Sequence, residues 1–337
     1  MLDDAIIAKY DPTGMHKIYD MWTDIARTSY ETNKDVADFK DIDHIVFAGM
    51  GGSGTIGDIF SSILSKSSLH TYVVKGYHLP STVDANTLVV ATSISGNTAE
   101  TLTVLESCSK LDCKIAAFSS GGKMMEYCIK NMILHKKIES LHSPRAALPA
   151  FLYTMLSFFE SQFNIKHEDV TESIKHLEIL QNQICSPNLT PTNPSLGLAE
   201  WITGIPLVYY PWGLRAAAIR FRNSFQENVK THAITADVVE ASHNGIVSWE
   251  RPSNIQPILV RGQDDYIKTK ERWEIIKEYF DQNKIEYREI LSVKGSILSK
   301  LINLIYLLDY ASIYTAFLCG VDPAPVSSID FIKKRTG

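Results

Sequence analysis

The strongest constraint on this chain is a strand that ends in glycine. Residues 45–56 read IVFAGMGGSGTI, an apolar run that breaks into four glycines and a serine within six positions. An apolar run with no polar alternation describes a strand buried on both faces, the usual condition of a parallel sheet. Glycine admits positive φ and lets backbone N–H groups approach a ligand closely. Strand, glycine turn and helix N-terminus together therefore make an anion site, with phosphate the first candidate.

Two common phosphate motifs fail here. Gly49, Gly51 and Gly54 satisfy G-x-G-x-x-G, but a dinucleotide site needs a carboxylate roughly 20 residues on, at the end of the next strand, to hold the ribose. That strand, His70 to Lys75, runs into Lys75, Gly76 and Tyr77 instead. A Walker A loop puts lysine after its last glycine, where this chain has Thr55. A tight turn with no ligand is the other reading of the motif.

Strands alternate with helices along the rest of the chain. Ile45 to Gly49, Thr71 to Lys75, Thr87 to Ser93 and Lys114 to Ser119 are short apolar or β-branched runs, with helical patterns after the first, third and fourth. An amphipathic helix is predicted over His16 to Tyr30, and further helices over Ala146 to Phe163 and Val170 to Gln183. The segment Ser186 to Pro194, SPNLTPTNP, carries three prolines and reads as a connector between domains at 1–185 and 195–337. Beyond it the pattern repeats. Pro206 to Tyr210, then PWG, then a helix from Leu214 to Asn228 parallels the opening strand, turn and helix, and Pro257 to Arg261 with Tyr266 to Asn283 parallels the third strand and its helix. The fold class is thus α/β, two doubly wound subdomains, each a mostly parallel sheet flanked by helices. The second turn has lost most of its glycines, so phosphate binding is expected in the first half only, with the two halves facing each other across a cleft.

Composition narrows the functional classes. A 45% hydrophobic share supports a buried core, and a formal net charge of −5 leaves no basic footprint for nucleic acid. The beginning MLDDAIIAKYDP has acids where a signal peptide needs positive charge, and no apolar run is expected to approach membrane-spanning length, so a soluble cytoplasmic protein with no membrane partner is expected. The five cysteines show no CxxC pairing and no His/Cys/Glu cluster stands at ligand spacing, so neither a metal nor a cofactor is expected.

A second loop, TSISGNTAET over Thr92 to Thr101, also follows a strand and opens a helix. Ser93, Ser95 and Thr98 set three hydroxyls beside first-turn amides, more than capping requires, and Glu100 complements the dipole. With Ser53 and the amides of Gly51 and Gly52, these residues form the expected phosphate site.

The pair GMGGSG and SISGNT resembles the sugar isomerase (SIS) domain. The whole chain resembles the bifunctional phosphoglucose/phosphomannose isomerases, through SPRAALP at Ser143 to Pro149, QENVK at Gln226 to Lys230, EASHN at Glu240 to Asn244, and DPAPVSSIDFIK ending at Lys333. The resemblance implies two SIS-type subdomains and an aldose-ketose isomerase that interconverts glucose 6-phosphate and fructose 6-phosphate, and also mannose 6-phosphate and fructose 6-phosphate. Val326 stands where some dual-specificity relatives carry a hydroxyl, with Ser327 and Ser328 adjacent, which weakens the mannose half of that expectation. By the same resemblance Glu227 is the carbon base, Arg145 stabilises the enediolate, and His243 and Lys333 open the sugar ring, with Lys334 an alternative to Lys333. It also implies a homodimer in which His243 enters the neighbouring subunit's site. A non-catalytic sugar-phosphate regulator would need only the phosphate loops, and a nicotinamide dehydrogenase would need the missing carboxylate.

Overall fold

The computed structural model describes residues 2–33 and 35–336. Packing divides the chain into two compact units, Met21–Val170 with Val326–Gly337, and Met1–Asp20 with Thr171–Pro325. Each is built on one parallel sheet flanked by helices, as the sequence predicts.

The first unit holds β1 (His44–Ala48), β2 (His70–Val74), β3 (Thr87–Ser93), β4 (Lys114–Ser119) and β5 (Leu134–Lys137), in the order β2-β1-β3-β4-β5. Both faces are covered, which is why β3 is buried at every position. On one face Phe47 stacks on Phe60 of the helix Gly51–Ile63, and Phe118 packs edge-on against Phe158 of the helix Leu148–Phe159. On the other, Val46, Ala48 and Val89 meet Val104 and Cys108 of the helix Ala99–Cys108.

The second unit holds β6 (Ile205–Tyr210), β7 (Ile234–Asp237), β8 (Ile255–Arg261) and β9 (Arg288–Leu291), in the order β7-β6-β8-β9. The order β2-β1-β3-β4 is thereby repeated strand for strand. Tyr209 and Leu259 pack on Trp273, Ile276 and Phe280 of the helix Ile267–Gln282. Against the helix Arg215–Val229 lies the helix Ile297–Leu318, 22 residues long and buried from Leu298 to Phe317 except at half-buried Lys300. The sequence was expected to hold no run of membrane-spanning length, and this helix corrects that expectation. Its best window has a mean hydropathy of 1.5, yet 94% of that window is buried within the protein. A helix apolar on all sides needs apolar neighbours on all sides, and here protein supplies them.

Inside this core sits the ion pair of Arg220 and Asp309. Arg220, 2% exposed, donates from Nε and Nη2 to Asp309 at 3.0 and 2.7 Å, and Tyr19 donates to the same carboxylate at 3.3 Å. Burial works against the guanidinium charge while Asp309, Tyr19 and Glu227 favour it, and the balance holds Arg220 above its ordinary range.

Two expected boundaries differ from those observed. The helix predicted over His16 to Tyr30 is two helices, Met15–Asp20 and Trp22–Thr32. Each is anchored in a different unit. Tyr306 and Tyr310 of the long buried helix donate to the carbonyls of Tyr19 and His16, at 2.6 and 3.3 Å, whereas Trp22 donates to the carbonyl of Ala146 at 3.0 Å. The proline-rich segment Ser186 to Pro194 is a packed corner within the second unit rather than a free linker. Buried Asn193 donates to the carbonyls of Ile184 and Asn188, at 3.1 and 2.8 Å, and its Oδ1 caps the helix Pro194–Trp201.

Removing one partner of a buried ion pair leaves the other uncompensated, so Asp309→Ala is expected to lower the unfolding free energy by about 3–5 kcal/mol. The double replacement Arg220→Met with Asp309→Leu should recover most of that loss. Urea unfolding of the three proteins measures both effects, and a double variant no more stable than Asp309→Ala would contradict the account.

Candidate active site

β1 pairs in parallel with β2 on one side and β3 on the other, with Ala48 opposite both Val74 and Ala91. The connections leaving the carboxyl ends of β1 and β3 therefore cross to opposite faces, which opens a crevice between them. In open parallel sheets that reversal point is where ligands bind. Both loops singled out in the sequence end there.

The glycines of the first loop serve different purposes. Gly51 has φ +53, a left-handed value that disfavours a Cβ, although space around it is open. A Cβ on Gly54 would lie 2.8 Å from the Gly49 carbonyl oxygen and 3.0 Å from Lys75 Cε, so this glycine lets the helix press against the strand it follows. The helix Gly51–Ile63 begins at Met50 with no side-chain cap, leaving its first-turn amides without a side-chain acceptor.

The hydroxyls knit the loops together. Ser53, 7% exposed, accepts the Ile94 N–H at 3.2 Å, joining the first loop to the second. Buried Ser93 donates to the Thr98 hydroxyl at 2.9 Å. Thr98 occupies the N-cap position of the helix Ala99–Cys108 without capping it. Exposed Ser95 accepts the Asn97 N–H at 3.3 Å. The structure thus gathers Gly51, Gly52, Ser53, Ser93, Ser95 and Thr98 at one crevice, where two helix N-termini present amides that no side chain caps. A bound oxyanion would supply the missing acceptors.

Lys75 stands where a ribose-binding carboxylate would, and it pairs with Asp58 of the glycine-loop helix, so the dinucleotide reading fails on geometry as well. Arg145 lies in the same unit, 4% exposed, in the turn before the helix Leu148–Phe159 rather than at the start of a helix from Ala146. Lys333 lies on the exposed helix Ser327–Thr336 beside Lys334. Successive helical residues point about 100° apart, so only one of the two can face a given side.

Glu227 and His243 belong to the second unit. Glu227 is half-buried in the last turn of the helix Arg215–Val229. Lys230, for which the sequence suggests no role, fixes that helix end. It adopts φ +63, and its ammonium donates to the carbonyls of Glu227, Pro323 and Pro325, at 2.5, 3.2 and 2.6 Å. Its place in QENVK was the only signal. His243 is exposed in the turn between the short helix Val238–Ala241 and the 3-10 helix Gly245–Glu250. Among the described residues, no three His, Cys, Asp or Glu side chains gather as a metal site.

Residues 38–158 match the SIS domain family, and residues 191–336 match the bacterial phospho-glucose isomerase C-terminal SIS domain. The chain is 32% identical over 320 residues to a bifunctional phosphoglucose/phosphomannose isomerase of Caldicellulosiruptor bescii, covering 91% of this chain and 94% of that one. It is 30% identical to the protein of the same description from Thermoplasma acidophilum, covering 87% and 89%. Among solved structures, a hypothetical protein from Thermus thermophilus superposes with a TM-score of 0.75 at 15% identity, covering 98% of this chain and 92% of that one.

The two reasons for glycine can be separated experimentally. Gly51→Ala meets open space and should cost only the left-handed strain, about 1–2 kcal/mol. Gly54→Ala must push apart Gly49 and Lys75 and should cost more, with a larger fall in Tm. Equal losses in thermal unfolding would show that close packing is not the reason for Gly54.

Proposed function

The chain belongs to the family of bifunctional phosphoglucose/phosphomannose isomerases, and from that premise we propose that it interconverts glucose 6-phosphate and fructose 6-phosphate, and mannose 6-phosphate and fructose 6-phosphate. The observation that carries this reading is the crevice at β1 and β3, where two uncapped helix N-termini and a ring of hydroxyls suit the oxygens of a monophosphate. A non-catalytic regulator would need that crevice too, but the relatives that match almost the whole chain carry isomerase names.

The 6-phosphate is held by the amides of Gly51 and Gly52 and the hydroxyls of Ser53, Ser93, Ser95 and Thr98. His243 and Lys333 share ring opening, in which the ring oxygen gains a proton and the C1 hydroxyl loses one. Histidine suits this exchange because its imidazole can both donate and accept a proton. Glu227 takes the proton from C2 of the open aldose, and the resulting cis-enediolate receives it back at C1 to give the ketose. The permanently charged, planar guanidinium of Arg145 stabilises the enediolate oxygens. Glucose and mannose 6-phosphates differ only at C2 and lose that difference in the enediolate, so one cradle and one base serve both. The exposure of His243 supports a homodimer in which it completes the neighbouring subunit's site, and we place the dimer in the cytoplasm.

Glu227→Gln keeps shape and hydrogen bonding but removes basicity, and kcat is expected to fall by about 10²- to 10⁴-fold with fructose 6-phosphate still bound. Solvent deuterium incorporation into fructose 6-phosphate reads the carbon step directly, and exchange at the wild-type rate in this variant would place the base elsewhere. His243→Ala should slow turnover of the cyclic sugar while sparing exchange of the open chain. If His243 acts across the dimer, mixing Glu227→Gln with His243→Ala after subunit exchange restores activity, because one site of each mixed dimer then has both groups intact. No gain on mixing would assign His243 to its own subunit.

A further inference from the structure

We propose that His135 and Ser119 are positioning residues for the phosphate cradle, an inference that rests on reading the β1–β3 crevice as the sugar-phosphate site. They belong to neither sequence loop. Ser119 ends β4 and His135 lies on β5, where it pairs opposite Ala117, two residues before Ser119 and so on the same face. The His135 Nε2 is 2.8 Å from the buried Ser119 Oγ. Burial holds this imidazole below its ordinary range, which favours the neutral ring at neutral pH.

Ser119 in turn shapes the loop that follows it. Its hydroxyl accepts the Gly121 N–H at 3.2 Å and lies 2.9 Å from the Gly121 carbonyl oxygen. Gly121 and Gly122 have φ +142 and +65, so no side chain of their own holds this conformation. That loop backs the cradle. A Cβ on Gly96 would fall 1.8 Å from the Gly121 carbonyl oxygen, so the two backbones touch. Ser120 N–H donates to Ile94 O at 3.1 Å, Met124 N–H to Gly96 O at 2.9 Å, and Lys123 N–H to Asn97 Oδ1 at 3.1 Å. Any shift of Gly121 is therefore passed to residues 94–97, which lie between Ser93 and Thr98. The sequence signal was the SSGG at Ser119 to Gly122, a second serine- and glycine-rich turn after a strand.

The test compares the full-length wild type with His135→Ala, His135→Gln, Ser119→Ala and Ser95→Ala. The dissociation constant for fructose 6-phosphate is read by calorimetry, alongside KM, kcat and Tm. His135→Ala and Ser119→Ala should each raise the dissociation constant and KM about tenfold, the usual effect of leaving a buried hydrogen-bond partner unmet, with kcat changed less than about twofold. The amide of His135→Gln can reach Ser119 and should restore affinity. Purely structural roles would lower Tm without moving the dissociation constant, and that outcome overturns the inference. If Ser95→Ala weakens binding while His135→Ala and Ser119→Ala do not, the positioning role alone is wrong. If Ser95→Ala binds as the wild type does, the crevice is not the phosphate site and both readings fall.

Discussion

The structure turns on β1 pairing in parallel with two strands at once. A strand flanked by β2 and β3 sends its own connection to one face and receives the next on the other, so the carboxyl ends of β1 and β3 diverge around a gap. Helix N-termini then point into that gap from both sides, and small residues must line it because backbone approaches backbone there. Gly49, whose Cβ would lie 3.0 Å from Thr92 O, meets that need, as do Gly54 and Gly96. The crevice is thus a consequence of strand order before it is a matter of side chains.

The same strand order in the second unit serves a different end. After β6 the turn carries Trp212 and Arg215, with the guanidinium 5.4 Å from the indole ring, instead of a run of glycines. Glu227 sits at the far end of the following helix. That end is held by the Arg220–Asp309 pair, by Asn228 donating to Ser312 at 2.8 Å, and by the three carbonyls that Lys230 binds. Buried polar ties along one helix rigidify it and fix where its last turn lies.

Three strands escaped the sequence reading, β5, β7 and β9, and all three lie at sheet edges. LHKK, ITAD and REIL are short and partly polar because an edge strand is wet on one side and guarded against further pairing. β2, the fourth edge strand, was legible through its β-branched residues Thr71, Val73 and Val74. The helix break at Met21 was invisible for another reason. The periodicity of residues 15–32 is that of one helix, and only the anchoring of Tyr19 and Trp22 in separate units divides it.

The class of fold and the course of the two loops were already written in the order of the residues. Apolar runs interrupted by glycine and hydroxyl residues report local demands, namely burial on both faces, positive φ and free first-turn amides, and each such demand is met one residue at a time. Which distant pieces share a core was settled in three dimensions alone. That Met1–Asp20 packs with Thr171–Pro325, that Arg220 finds Asp309, and that His135 reaches Ser119 to brace Gly96 depend on contacts between residues far apart in the chain or on different strands. Such contacts have no period and no motif, because what selects them is the shape of the space left after the sheets have formed.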